Sequence, residues 1–233
     1  LRWVEDTTRS ADQAGDEHAG ARLYLASQSP RRQQLLREAG FAFEVAVPPM
    51  DDGELAAGGA DPRQWVCALA YLKARATGAA LATSGAGRGV VLGADTIVLK
   101  GDQIIGKPED DADARRILRL LSDGEHRVVT GVAIVAVGQS GAGQGEPAQR
   151  VLMVDSAIVR VGQLSDERVE AHVSSGAWRG KAGGYNILDQ LAYSWPITFE
   201  GDITTVMGLP MKRLAPVLRR TLSQRENRIS ARA

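Results

Sequence analysis

One ten-residue run, Val90 to Leu99 (VVLGADTIVL), limits the possible folds more than any other part of the chain. It is rich in β-branched residues, follows a Gly/Ser-rich loop (Ser84 to Gly89) and ends at Gly101-Asp102, a turn into Gln103 to Ile105. A strand this apolar is mostly buried, and it needs partner strands at its edges and cover on its faces. Two more long β runs, Val128 to Val137 and Val151 to Val161, pair as a hairpin across a low-complexity connection, GQSGAGQGEPAQ, whose composition cannot pack.

Helices alternate with strands before that hairpin. Leu23 to Ala26 is a short strand, and Ser29-Pro30 then opens a helix that carries Leu35, Leu36 and Ala39 and stops at Gly40. Phe43 to Val47 is the next strand, closed by Pro48 and Pro49, and the polar loop after it starts with Asp51 and Asp52. Asp61-Pro62 begins a second helix with Trp65, Leu69, Leu72 and Ala76 as its expected buried face. Asp110 to Leu121 is amphipathic through Ala114, Ile117, Leu118 and Leu121, with an acidic first turn that complements the helix dipole. A short helix over Ser165 to Ser175, a glycine-rich segment over Gly176 to Gly184 and a last helix from about Pro210 complete the chain. The expected fold is α/β, a mixed twisted sheet with flanking helices. Residues 21–222 form one domain in this reading; 1–20 are an expected disordered extension and 223–233 an expected disordered basic tail.

Composition removes several classes of function. Lys plus Arg and Asp plus Glu number 28 each, so no charge excess marks the chain for a nucleic acid polymer. No apolar run approaches the length of a membrane span, and residues 1–20 carry no signal-peptide stretch. The single cysteine, Cys67, builds neither an internal disulfide nor a cysteine metal cage and fits a reducing cytoplasm. The three histidines, His18, His126 and His172, sit outside the charged clusters, and there is no G-x-S-x-G elbow, H-E-x-x-H helix or P-loop. What remains is carboxylates for a metal and several Arg and Lys for a polyphosphate.

Asp95 is the most informative residue. Strand alternation puts it on one face with Val91, Ile97 and Leu99, and a carboxylate in such surroundings is paired, metal-bound or protonated. An Asp at a strand end held by backbone amides or a lysine explains the pattern about as well. Asp51 and Asp52 supply a second acidic cluster, and hard oxygen ligands of this kind suit Mg²⁺ or Mn²⁺ bound together with substrate phosphates. Arg31 and Arg32 occupy a helix's first turn, where the dipole disfavours cations and free N–H groups favour an anion, with Ser27 and Ser29 beside them as donors. Lys73 lies at the edge of its helix's apolar stripe, Lys107 is held extended by Pro108, and Lys181 lies where glycines let backbone approach a ligand. Each of these cations taken alone is an ordinary surface residue.

Seven strings in order, LASQSPRRQQLL (from Leu25), LAYLKA (from Leu69), GADTIV (from Gly93), GKP (from Gly106), VVTGVAIV (from Val128), KAGGY (from Lys181) and EGDITTVMGLPM (from Glu200), resemble the Maf (septum formation inhibitor) family. The resemblance covers about Leu23 to Arg213. It implies a fold shared in outline with inosine triphosphate pyrophosphatases, two lobes around a cleft, and commonly a homodimer. The implied activity is hydrolysis of a nucleoside triphosphate to the monophosphate and pyrophosphate with a divalent metal. By the same resemblance Ser27, Arg31, Arg32, Lys73, Lys107 and Lys181 bind substrate, Asp95 is catalytic, and Asp95 with Asp52 holds the metal.

Asp52 stands where the family usually has Glu, and Gly180 precedes Lys181 where the family commonly has Asp. Leu188 replaces the substrate-associated Gln, with Gln190 the candidate to substitute after a local shift. Ser29 to Arg32 with Lys181 and Tyr185 is similar to the branch acting on dTTP and UTP. The alternatives are the branch acting on 7-methylguanosine triphosphate and a non-catalytic, nucleotide-binding regulator of cell division.

Overall fold

The computed structural model describes residues 21–50, 57–84, 89–137 and 150–230. In chain order these form β1 (Arg22–Ala26), α1 (Pro30–Glu38), β2 (Glu44–Val45), α2 (Pro62–Thr83), β3 (Gly89–Lys100), β4 (Gln103–Ile105), α3 (Asp111–Leu121) and β5 (Gly124–Val137). There follow β6 (Arg150–Val161), α4 (Asp166–Ser174), a single 3₁₀ turn (Ala182–Gly184), α5 (Ile187–Ala192), β7 (Ile197–Glu200), α6 (Ile203–Val206) and α7 (Met211–Ser230). The sheet runs β2-β1-β3-β5-β6-β7, with β4 also paired to β3. β1 is parallel to β2 and β3 and every other pairing is antiparallel, so the sheet is mixed, as the alternation of strands and helices implied.

Helices cover both faces. On one, Leu35 and Leu36 of α1 and Leu214 and Leu218 of α7 pack on Leu23, Leu25, Val90, Leu92 and Val132. Toward the β6–β7 end, α3, α4 and α5 join a second cluster through Ile117, Leu118, Val169 and Ile187, with Val128, Val159 and Ile197 from the sheet. On the other face lies α2, capped at its start by the Asp61 carboxylate, which accepts from the N–H groups of Arg63 and Gln64. α2 packs on Val91, Ala133 and Val135 through Ala70 and Ala74, and on Val129 and Ile97 through Val66.

Its buried stripe is Val66, Leu69, Ala70, Ala74, Thr77 and Gly78, whereas Leu72 is exposed and Trp65 and Ala76 are half-buried. The expected face is therefore rotated. Small residues rather than the largest apolar ones meet the sheet, because the helix lies directly on strand backbone. A methyl on Gly131 would stand 2.5 Å from the carbonyl oxygen of Val66. One on Gly93 would press into the carbonyl of Ala70 and stand 2.9 Å from the Ala74 Cβ. With large side chains in between, the helix would sit farther off.

The chain's end also differs from expectation. α7 runs to Ser230 rather than fraying after 222, and Arg225 is buried with a guanidinium N–H donating to the Val137 carbonyl. That hydrogen bond to the end of β5 holds the helix past the expected boundary. Residues 1–20 and Asp51-Asp52 lie outside the described residues. No helix among the described residues is long and apolar enough to cross a membrane.

Gly93→Ala and Gly131→Ala are each expected to cost about 1–3 kcal/mol of stability, since neither the helix carbonyl nor the strand can move aside. Gly106→Ala, where nothing lies within 4 Å of the added methyl, is the control and stays within about 0.5 kcal/mol. Urea midpoints of the three variants check the difference.

Candidate functional site

The close seat of α2 on β3 brings Lys73 onto the sheet. Lys73 Nζ lies 2.6 Å from Asp95 Oδ1, and both side chains are 13% exposed. Asp95 does share its strand face with Val91, Ile97 and Leu99, which meet α2, and its cross-strand neighbour is Gly131. The carboxylate is paired, as burial demands, and the two glycines beside it admit the helix that carries Lys73.

Next to this pair opens a cavity of about 490 Å³. Ser27, Ser29, Arg31, Arg32, Lys73, Asp95 and Lys107 line it, so six of the eight residues expected to serve the site meet in one place. Ser29 holds the N-cap position of α1 without a capping hydrogen bond from its side chain; its own N–H donates to Ser27 Oγ at 3.2 Å. Arg32 Nη1 donates to the same oxygen at 3.0 Å. With both lone pairs engaged, the Ser27 hydroxyl retains one proton to donate, which suits a phosphate oxygen. The first turn of α1 adds backbone N–H groups that have no partner within the helix.

The cations are not equivalent. Arg31 is held below its ordinary guanidinium value by burial, with Asp189 opposing, and it stays charged. Lys107 is exposed at the rim, on a segment pinned by the Gly183 N–H donating to the Gly106 carbonyl at 3.0 Å. Arg32 is occupied by protein: besides Ser27, it donates to the Gly208 carbonyl at 3.1 Å, the Ala94 carbonyl at 2.9 Å and Thr96 Oγ1 at 3.1 Å. It lines the cavity and at the same time ties three chain segments together. Lys181 does not line the cavity among the described residues; its ammonium donates to the Ala177 carbonyl. Burial lowers its pKa first and the nearby Arg31 second, while Asp189 opposes. Its neighbours Gly180 and Ala182 do line the cavity, so Lys181 sits beside it.

The other end of the cavity is apolar, with Val98, Val128, Tyr185, Ile187, Val206 and Met207. Tyr185 is buried, stacks on Trp195 and bonds His126 Nε2 at 2.7 Å through its hydroxyl. Leu188 and Gln190 do not contribute. Neither is among the described lining residues, and Gln190 is buried with its Oε1 lacking a partner. The helical turn of α5 directs position 190 inward, so the expected substitution of Gln190 for a missing amide fails. Sequence reasoning passed over Thr96 and Gly208, although both fall in strings it singled out, GADTIV and EGDITTVMGLPM.

Asp95 is the one carboxylate lining the cavity among the described residues, and no cluster of three His, Cys, Asp or Glu occurs among them. One carboxylate together with substrate phosphates is a donor set that Mg²⁺ accepts, so the residues present fit such an ion without a dedicated protein cage. Asp52, the other expected ligand, lies outside the described residues.

Comparison with known proteins gives a consistent picture. The family model described as Maf-like protein matches residues 22–221. A dTTP/UTP pyrophosphatase of Salinibacter ruber is 40% identical over 84% of this chain and 89% of its own. Proteins of the same name from Koribacter versatilis and Vibrio cholerae are 36% and 39% identical, over 86% and 82% of this chain and 95% and 93% of theirs. Among solved structures, a nucleoside-triphosphatase / dITP/XTP pyrophosphatase from Mycobacterium abscessus matches 61% of this chain and 75% of its own. Its TM-score is 0.34 and its identity 16%, too slight a likeness to argue from.

His126, the buried partner of the cavity residue Tyr185, gives the fold a pH dependence. Burial, aided by Lys100, lowers the His126 pKa to about 4 from its ordinary 6.5. Because the unfolded chain then binds the proton more readily, stability is complete above the unfolded value and falls as pH drops from about 6.5 toward 4. Urea denaturation at pH 7 and pH 5 is expected to differ by on the order of 2 kcal/mol from this residue alone, and His126→Gln removes that part of the difference.

Proposed function

This chain belongs to the Maf-like protein family, and on that premise we propose that its cleft hydrolyses dTTP and UTP to the monophosphate and pyrophosphate. The observation that carries the reading is a carboxylate, Asp95, set in one cavity with Arg31, Lys73, Lys107 and the open first turn of α1. A site that only binds nucleotide needs the cations and gains nothing from an acid beside the phosphates. The apolar end, walled by Tyr185, Ile187 and Met207, accepts a base.

In this mechanism the triphosphate lies along the first turn of α1, with Ser27 and Arg31 donating to its oxygens and Lys107 reaching in from the rim. Asp95 orients a water for attack on the α-phosphorus and draws off its proton, and the bond from that phosphorus to the bridging oxygen breaks. Pyrophosphate departs with charge that Lys73, Lys107 and Arg31 neutralise, interactions that strengthen as the negative charge develops. A divalent cation, Mg²⁺ or Mn²⁺, held by Asp95 and phosphate oxygens, with Asp52 the further candidate, adds charge neutralisation when bound. Lys73 also fixes Asp95 before substrate arrives. The same reading includes a cytoplasmic location and a homodimer.

Purified protein with Mg²⁺ is expected to release pyrophosphate from dTTP and UTP, with looser discrimination against other bases because neither Leu188 nor Gln190 lines the base end. Turnover of 7-methylguanosine triphosphate with none of dTTP or UTP would overturn the substrate assignment. Asp95→Asn keeps the size and removes the charge, so it folds and loses nearly all turnover. Lys107→Ala lowers kcat/KM by on the order of 10² while leaving thermal stability unchanged, since its ammonium is exposed at the rim. Wild-type kcat/KM in that variant would remove Lys107 from the site.

A further inference from the structure

Behind the cleft, a line of hydroxyls leads away from Arg32. Arg32 Nη2 meets Thr96 Oγ1 at 3.1 Å, Thr96 Oγ1 meets Thr130 Oγ1 at 3.0 Å, and Thr130 Oγ1 meets the Thr205 carbonyl at 2.8 Å. Thr130 and Thr205 are fully buried. Hydroxyl protons have no fixed place in general, but here chemistry determines them. A carbonyl only accepts, so Thr130 spends its proton on Thr205; Thr96 must then donate to Thr130, and its own oxygen is left to accept from Arg32. The chain runs in one direction, from guanidinium to carbonyl.

Its far end is anchored. Thr205 Oγ1 donates to Asp155 Oδ2 at 2.7 Å, and Arg213 donates to Asp155 Oδ1 at 3.1 Å. Asp202 ties the start of α6 to that of α7 by accepting from the N–H groups of Thr204 and Lys212. The near end is built with equal economy of space. Gly208 has φ +108°, and a side chain there would meet Arg32 Nε at 3.0 Å and Thr96 Oγ1 at 3.4 Å. Arg32 in turn fixes Ser27, a donor to the substrate, and the carbonyl of Ala94, the residue before Asp95.

We infer that Thr130 is a positioning residue for the hydrolysis: from behind the cleft it fixes Thr96 as an acceptor, and Thr96 holds Arg32 against Ser27 and Ala94. Thr130 is not among the described residues that line the cavity, so it acts through Arg32 rather than on substrate. Thr130→Val keeps the shape and deletes the hydroxyl, leaving the Thr96 proton without its acceptor and free to turn toward Arg32. Thr130→Ser keeps the hydroxyl.

The inference rests on the proposed activity, and two readouts separate them. In the first, dTTP turnover by Thr130→Val is expected to fall about tenfold in kcat/KM, mostly in kcat, with Thr130→Ser within about twofold of wild type. Adding Thr130→Val to Arg32→Lys should cost less than about twofold more, because the residue it acts through is already altered. An additive loss in the double variant, a Thr130→Ser as poor as Thr130→Val, or a Thr130→Val that only melts earlier overturns the inference. If Thr130→Val does not fold, Thr96→Val breaks the same chain from the partly exposed end and must show the same non-additivity with Arg32→Lys.

The second readout needs no substrate. Exchange of the Arg32 Nη2 protons, which meet Thr96, with solvent, followed by NMR at low temperature, is slow in wild type and Thr130→Ser and at least about tenfold faster in Thr130→Val. Unchanged exchange overturns the relay. A wild type that releases no pyrophosphate from dTTP refutes the functional reading while this exchange still decides the role of Thr130.

Discussion

The site depends on one packing constraint: α2 lies on bare strand backbone at Gly93 and Gly131. These glycines flank Asp95, one two residues before it on β3 and the other its partner on β5. Their missing side chains admit the helix, whose backbone takes the space they leave. An ion pair with both partners mostly out of water gains little net free energy, because desolvation offsets most of the attraction. What the Lys73–Asp95 pair contributes is a fixed direction for the acid, and the glycines make that pair geometrically possible.

The rest of the cleft divides the cationic work. Arg31, Lys73 and Lys107 face the space a triphosphate would fill, while Arg32, also on the cavity wall, ties Ser27, Ala94, Thr96 and Gly208 together. Two arginines in the first turn of α1 work against its dipole. Burial strengthens that penalty at Arg31, whose shift is dominated by desolvation. An anion at the helix start reverses the sign of the interaction, so the arrangement is stable in the form in which it would act. At Arg32 four hydrogen bonds supply the compensation instead.

Much of this was legible in local pattern. Asp95 stood out because period-two alternation placed an acid among Val91, Ile97 and Leu99, and Ser29-Pro30 marked the helix start that carries Arg31 and Arg32. The hairpin of β5 and β6 followed from two long β-branched runs. The rotated stripe of α2 was hidden, since periodicity ranks Trp65 and Leu72 above Ala70 and Ala74 and says nothing of glycines on a strand distant in sequence. Lys181 and Gln190 were hidden for a related reason: turn geometry over 180–190 decides where they point, and spacing alone does not. The continuation of α7 rested on Arg225 finding the Val137 carbonyl, 88 residues away.

By itself the sequence determined the mixed sheet with its helices, the absence of P-loop, serine-hydrolase and zinc-protease motifs, and a set of oxygen and cationic groups suited to polyphosphate. These properties follow from periodicity, turn chemistry and residue type, which act within a few positions of one another. Only the tertiary structure decided that Lys73 pairs with Asp95, that Arg32 binds protein while Arg31 and Lys107 face the cleft, and that Thr130 stands behind them. Each of those outcomes is a contact between segments far apart in the chain, set by how closely a helix can approach a strand and by which carbonyl a buried proton can reach.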